Sequence, residues 1–166
     1  FFFVFCLIGM SGFDLNVLNL NGDYVVDPRS ESLEEVMKLQ GIGWATRKIG
    51  AKFANSMGLN LVYDADKFVQ TYSAAVKTKI VHVDMNANEK EQHDADMNCK
   101  TFITVTFEDE GKTLKIVTKA PKKFERTVTW ERIDDRTIHS TIDFALTDGS
   151  NQRVKVNRYY TAAPAQ

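Results

Sequence analysis

Two cysteines, three histidines and near-equal numbers of opposite charges leave this chain short of the chemistry that many small proteins depend on. Cys6 lies in an apolar head and Cys99 stands alone in the body of the sequence, so the pair supports neither a disulfide framework nor a zinc site. Cys99 reads as a small hydrophobe on a strand. His82, His93 and His139 fall on separate segments with no ligand spacing among them, and neither a metal nor a cofactor is expected. Lysine and arginine total 21 against 22 acidic residues, a formal net charge of -1. That balance gives no long-range pull toward nucleic acid. Nucleophile elbows and phosphate loops are missing too, and Asp134-Asp135 and Glu108-Asp109-Glu110 read as turn residues rather than acid–base catalysts. An enzyme is therefore not expected.

The 166 residues carry no flexible linker, internal repeat or long charge run, which fits one domain with its own core. The head, Phe1 to Ile8, is too short an apolar run to span a bilayer. Gly9-Met10-Ser11 follows it with the small-x-small pattern of a signal-peptidase site. The run has neither strand alternation nor helical amphipathicity. Residues 1–11 are accordingly expected to be the remnant of a secretory signal and 12–166 the folded domain, which implies an extracellular protein. The other reading makes the head a strand or helix of the domain, with a cytoplasmic location.

The hydrophobic pattern then changes from one period to another. Leu20 to Val26 reads as a strand ended by Asp27-Pro28. Ser32 and Glu35 have capping-box spacing before a short helix, with Leu33, Val36 and Met37 on one face. Gly41 and Gly43 interrupt it, and a second helix is predicted over about Trp44 to Ala54, giving an αα-hairpin. After Met57 the pattern is strands: Leu59–Tyr63, Phe68–Ser73, Lys77–Asp84, Thr101–Phe107, Thr113–Thr118, Phe124–Ile133, Thr137–Leu146 and a closing segment at Arg153–Tyr160. The polar stretch from Met85 to Asn98 is expected to loop outward. About nine or ten antiparallel strands with helices only near the N-terminus suit an up-and-down barrel, which leaves no open edges and can enclose a ligand.

Parity singles out the arginines. Arg158 shares a strand face with Val154, Val156 and Tyr160, opposite Lys155, Asn157 and Tyr159. A guanidinium on the apolar side of a sheet cannot shed its charge and is costly to bury without an anion. Either a protein carboxylate meets it or a bound ligand supplies one. Phe124, Arg126, Val128, Trp130 and Arg132 likewise share one face. For Thr137 to Leu146 the sequence leaves open which face turns inward.

The order strand, glycine-joined helix pair, strands and terminal Arg-Tyr resembles the fatty-acid-binding protein family, the intracellular lipid-binding proteins of the calycin group. Leu20-Asn21-Gly22-Asp23-Tyr24 is similar to its opening Phe-x-Gly-x-Trp. Gly41-Ile42-Gly43-Trp44-Ala45-Thr46-Arg47-Lys48 is similar to its helix pair, and Arg158-Tyr159-Tyr160 to its closing Arg-x-Tyr. The Arg-Tyr-Tyr ending and the Gly-x-Gly-Trp turn look like the secreted nematode branch. The resemblance covers roughly residues 20 to 161. It implies an all-β fold, a ten-stranded antiparallel up-and-down β-barrel (a clam) capped by an N-terminal helix-turn-helix, and a lipocalin-like monomer.

The same resemblance implies non-enzymatic binding and transport of a long-chain fatty acid, with a retinoid or other lipophile as the alternative. By position Arg158 and Tyr160 would bind the carboxylate, beside an inner face that includes Val128. Many members carry a second arginine where this chain has Trp130, so either Arg158 and Tyr160 hold the carboxylate with ordered water or Arg132 or Arg126 substitutes. The family's Gly-x-x-Phe stretch is absent at Met85 to Lys90. The helix pair would cap the portal and touch anionic membranes transiently through Arg47, Lys48 and Lys52. Each methylene removed from water would add about 0.8 kcal/mol, so the tail supplies affinity and the head sets orientation.

Overall fold

A single antiparallel sheet of ten strands curls around the interior, and two helices lie between its first two strands in sequence. The structure is a computed structural model that describes residues 18–75 and 77–164. The apolar head expected to be a signal remnant lies outside the described residues. The strands are β1 (Gly22–Val26), β2 (Gly58–Tyr63), β3 (Lys67–Ala74), β4 (Lys77–Asp84), β5 (Lys90–Asp94), β6 (Cys99–Glu108), β7 (Thr113–Ala120), β8 (Phe124–Arg132), β9 (Thr137–Leu146) and β10 (Arg153–Ala162). The helices are α1 (Glu34–Leu39) and α2 (Trp44–Ala54). Neighbours in sequence pair in space from β1 to β4 and from β5 to β10, and β1 also pairs with β10. This is the helix-capped, up-and-down architecture that the strand pattern predicts.

Two expectations need correction. Met85 to Asn98 does not simply loop outward: Met85 and Ala87 are buried, and Lys90–Asp94 forms β5 against β6. Nor is the barrel without edges. Among the described residues β4 and β5 share no ladder and end the sheet on either side of a gap. Two ion pairs cross it instead, Lys79 with Asp96 and Lys90 with Asp84, the latter at 2.6 Å. Between them is an opening of about 230 Å³ lined by His82, Asp84, Ala87, Lys90, Gln92 and Ile103. The inward register of β5 carries Lys90 and Gln92, which gain nothing from burial, and charge along an edge strand discourages pairing.

Alternation explains which face of each strand is enclosed. Leu59, Leu61 and Tyr63 of β2, Leu114 and Ile116 of β7, Trp130 of β8, Ile138 of β9 and Tyr160 of β10 form one core with Leu18, Leu20 and Phe68. A second core, Val36, Cys99, Ala120, Phe124, Phe144 and Val156, sits beneath α1. In β9 it is therefore Ile138, Ser140 and Phe144 that turn inward. Cys99 is a buried free thiol, the small hydrophobe expected.

The helix pair is held by local chemistry. Ser32 accepts from the Glu34 N–H at 3.2 Å, so it turns the chain into α1 two residues on and does not form the capping box with Glu35. Gly41 ends α1 at φ +78°, a conformation that costs glycine nothing. Gly50 lets α1 and α2 approach, since a Cβ there would meet the Met37 thioether at 3.2 Å. The acidic turns behave as expected. Asp64 and Asp134 accept backbone N–H groups two residues on, and those bonds hold both carboxyls below their usual range.

Candidate ligand-binding site

Between the two apolar cores runs a belt of buried polar groups: Gln70, Asp94, Thr101, Thr118, Ser140 and Arg158. It comes from β3, β5, β6, β7, β9 and β10, so its members meet across the interior rather than along one strand.

Arg158 is 1% exposed. Its Nη1 donates to the Glu31 carbonyl at 2.8 Å and to Asn55 Oδ1 at 2.7 Å, and its Nη2 donates to the Ala54 carbonyl at 2.6 Å. Its Nε has no partner. The guanidinium carbon lies 5.8 Å from the centre of the Tyr160 ring. Neutral oxygens satisfy three donors but neutralise no charge. Ala54 closes α2, and a helix C-terminus offers the equivalent of about half a negative charge, which offsets the rest in part. Among the described residues no carboxylate pairs with this cation, which is met by neutral oxygens and the end of α2.

The other five positions separate. Arg126 donates to Asp94 Oδ2 at 3.2 Å, forming an ion pair whose acid is buried. Arg132 leaves the interior altogether. It donates to the carbonyls of Asn19, Asp134 and Asp135 and to the Tyr24 hydroxyl, and so seals the end of the barrel at the β8–β9 turn. Val128 packs against the first core. Trp130 is 1% exposed, stacks on Tyr160 with centroids 5.8 Å apart and meets Phe68 edge-on, while its Nε1–H has no acceptor. Arg158, Tyr160 and Trp130 are thus brought together, whereas Arg132 is kept apart and Arg126 is already paired.

Sequence reasoning missed Tyr72, Gln70 and Asp94. The Tyr72 hydroxyl donates to Gln70 Oε1 at 2.6 Å. Burial pushes the Tyr72 phenol up, as does Tyr160 beside it, while Arg126 and Arg158 pull it down. Burial raises Tyr160 as well, opposed by Arg158. Alternation along Phe68, Gln70 and Tyr72 was the available signal.

On α2 the basic face also divides. Arg47 turns inward and donates to the Ile42 carbonyl at 2.9 Å, and Lys48 pairs with Glu34 at 3.0 Å. Lys52 remains exposed beside Ile49 and Phe53, with Trp44 at the helix start 67% exposed. Arg47 thus braces the helix turn.

No family model matches the chain, and no curated protein matches it in sequence. Solved structures do match in shape. A fatty acid-binding protein from brain tissue of Drosophila melanogaster is 24% identical, with 84% of this chain and 96% of that one covered at a TM-score of 0.63. Human cRBP IV is 20% identical, with 87% and 98% covered at 0.67. A Schistosoma mansoni fatty acid binding protein in complex with arachidonic acid is 20% identical, with 86% and 95% covered at 0.63. The chain has the fold of these lipid-binding barrels.

Proposed function

We propose that this protein is a non-enzymatic carrier that encloses a long-chain fatty acid or a comparable amphiphile, with its acidic head at Arg158 and Tyr160. One observation carries the reading: an enclosed guanidinium that meets no acid among the described residues. Two of the proteins that share the fold are described as fatty acid-binding, one of them in complex with arachidonic acid, and this supports the same ligand class here. Charge-assisted bonds from a guanidinium and a phenol orient a carboxylate, and the apolar cores would receive the tail.

The test is binding of oleate to delipidated protein, with Arg158→Gln as the variant. Removing one partner of a buried charged pair costs about 2–5 kcal/mol, so affinity should fall by at least about thirtyfold. Unchanged affinity would remove Arg158 from the site.

A retinoid carrier is the second reading. Trp130 favours it, because among the described residues only one interior arginine lacks an acid and a retinol hydroxyl needs no cation. Displacement of a bound fluorophore by retinol but not by oleate would select it. In either case α2 is proposed to meet anionic membranes transiently, through Lys52 and the exposed Ile49 and Phe53 rather than through three cations.

A further inference from the structure

We propose that Asn55, the residue that closes α2, is a positioning residue for Arg158, fastening the helix lid to the guanidinium so that an acidic ligand head must compete with the lid for that cation. This rests on the carrier reading above and gives the buried head group a readout at the surface.

The two helices are held to the barrel differently. α1 packs on β9 and β10, and its Val36 belongs to the second core with Leu39 packed against it. Among the described residues neither core includes a side chain of α2. Its ties to α1 include the Lys48–Glu34 ion pair and the close approach at Gly50. A helix of 11 residues is marginal in water by itself, so α2 depends on what fastens it.

Arg158 fastens its far end. Asn55 caps α2, and its own N–H completes the helix to the carbonyls of Ala51 and Lys52. Its side chain is left to reach elsewhere. Although Asn55 is exposed, its Oδ1 accepts from the enclosed Arg158 Nη1 at 2.7 Å. The Ala54 carbonyl accepts from Nη2 at 2.6 Å, and the Glu31 carbonyl, shortly before α1, accepts from Nη1 at 2.8 Å. One guanidinium thus closes the base of the helix pair by gripping the chain on either side of it.

The count of hydrogens sets the terms for a ligand. A carboxylate takes two N–H groups of a guanidinium in parallel along one edge. The edges that offer such a pair are Nη1 with Nη2 and Nη2 with Nε, so Nη2 belongs to both. The Ala54 carbonyl already sits there, and both hydrogens of Nη1 are committed to Glu31 and Asn55. An acid at this cation therefore meets the negative end of α2. Head and lid oppose each other: acid binding loosens α2, and by linkage a looser α2 favours the acid. A neutral alcohol brings no charge and leaves the clasp in place.

Asn55 is the position to vary, with oleate and oleyl alcohol titrated into delipidated protein. Asn55→Ala frees the end of the lid and should tighten oleate about fivefold, the worth of one hydrogen bond. Asn55→Asp puts a carboxylate on Arg158 and should weaken oleate at least about tenfold, because the incoming acid must displace a paired one. Oleyl alcohol should bind both variants as it binds the wild type. Opposite signs for oleate at one exposed position are what a merely structural role does not produce. Oleate changes of one sign, or equal changes for the alcohol, overturn the proposal. Amide exchange supplies a second measurement. In ligand-free protein Asn55→Ala should speed exchange across α2 about threefold and leave β8 and β9 alone, and in the wild type oleate, but not oleyl alcohol, should do the same. Unchanged α2 exchange in the ligand-free variant overturns the clasp. Exchange of α2 that is unmoved or slowed with oleate demonstrably bound overturns the competition but not the carrier reading, whereas failure of the wild type to bind oleate, oleyl alcohol or retinol overturns both.

Discussion

At the scale of single residues the interior is defined by groups that are enclosed but incompletely satisfied. Arg158 spends three donors on neutral oxygens and keeps its charge. Around it the phenols are held neutral. Burial raises Tyr63, Tyr72 and Tyr160 above the ordinary tyrosine value. A phenol raised in the folded state favours folding fully below its unfolded value of about 10, and that contribution is lost as pH climbs beyond it. An absorbance titration should therefore show these three of the five tyrosines remaining protonated past pH 10, then ionising together as the barrel unfolds. Independent titration of all five before any loss of circular dichroism would contradict the buried placement.

At the scale of elements, α2 presents different chemistry on its two faces. Ala51 and Ala54 are buried, and the carbonyl of Ala54 grips Arg158. The outer face presents Ile49, Phe53 and Lys52. A lysine near an anionic surface contributes about 1 kcal/mol, so Lys52→Ala should slow transfer of a fluorescent fatty acid to anionic vesicles about fivefold at low salt and leave transfer to neutral vesicles alone. A change of the same size with neutral vesicles would point to a packing effect.

The elements also divide by how readable they are. β8, β9 and β10 announce themselves because each alternates between a core face and a wet face. β5 gives no such signal. Its sequence Lys-Glu-Gln-His-Asp is polar on both faces because one side meets solvent and the other meets the polar gap. Parity likewise put Arg126, Trp130 and Arg132 on one face correctly. It said nothing of their depth along the barrel, and depth decides that Arg126 finds Asp94 while Arg132 closes the end. Ser32 misled because a serine hydroxyl can bond two residues on as easily as three.

Across the whole molecule the two cores and the intervening polar belt are stitched by ladders everywhere except between β4 and β5. Strands β8 and β9 pair on both sides along their length, and β10 meets β1 only through Tyr160–Ala162, whereas each of β4 and β5 pairs on one side only. Amide exchange followed by mass spectrometry should find β4 and β5 exchanging well before β8 and β9, because local opening there breaks one ladder rather than two. Uniform protection across the sheet would mean that the gap is closed in solution.

That seam has a consequence for what the protein can accommodate. A cylinder laced all the way round can widen only by slipping its register, which would turn every side chain to the wrong face. Here two surface ion pairs span the break, each contributing little in water, so the girth can change there while the nine ladders among the described residues stay intact.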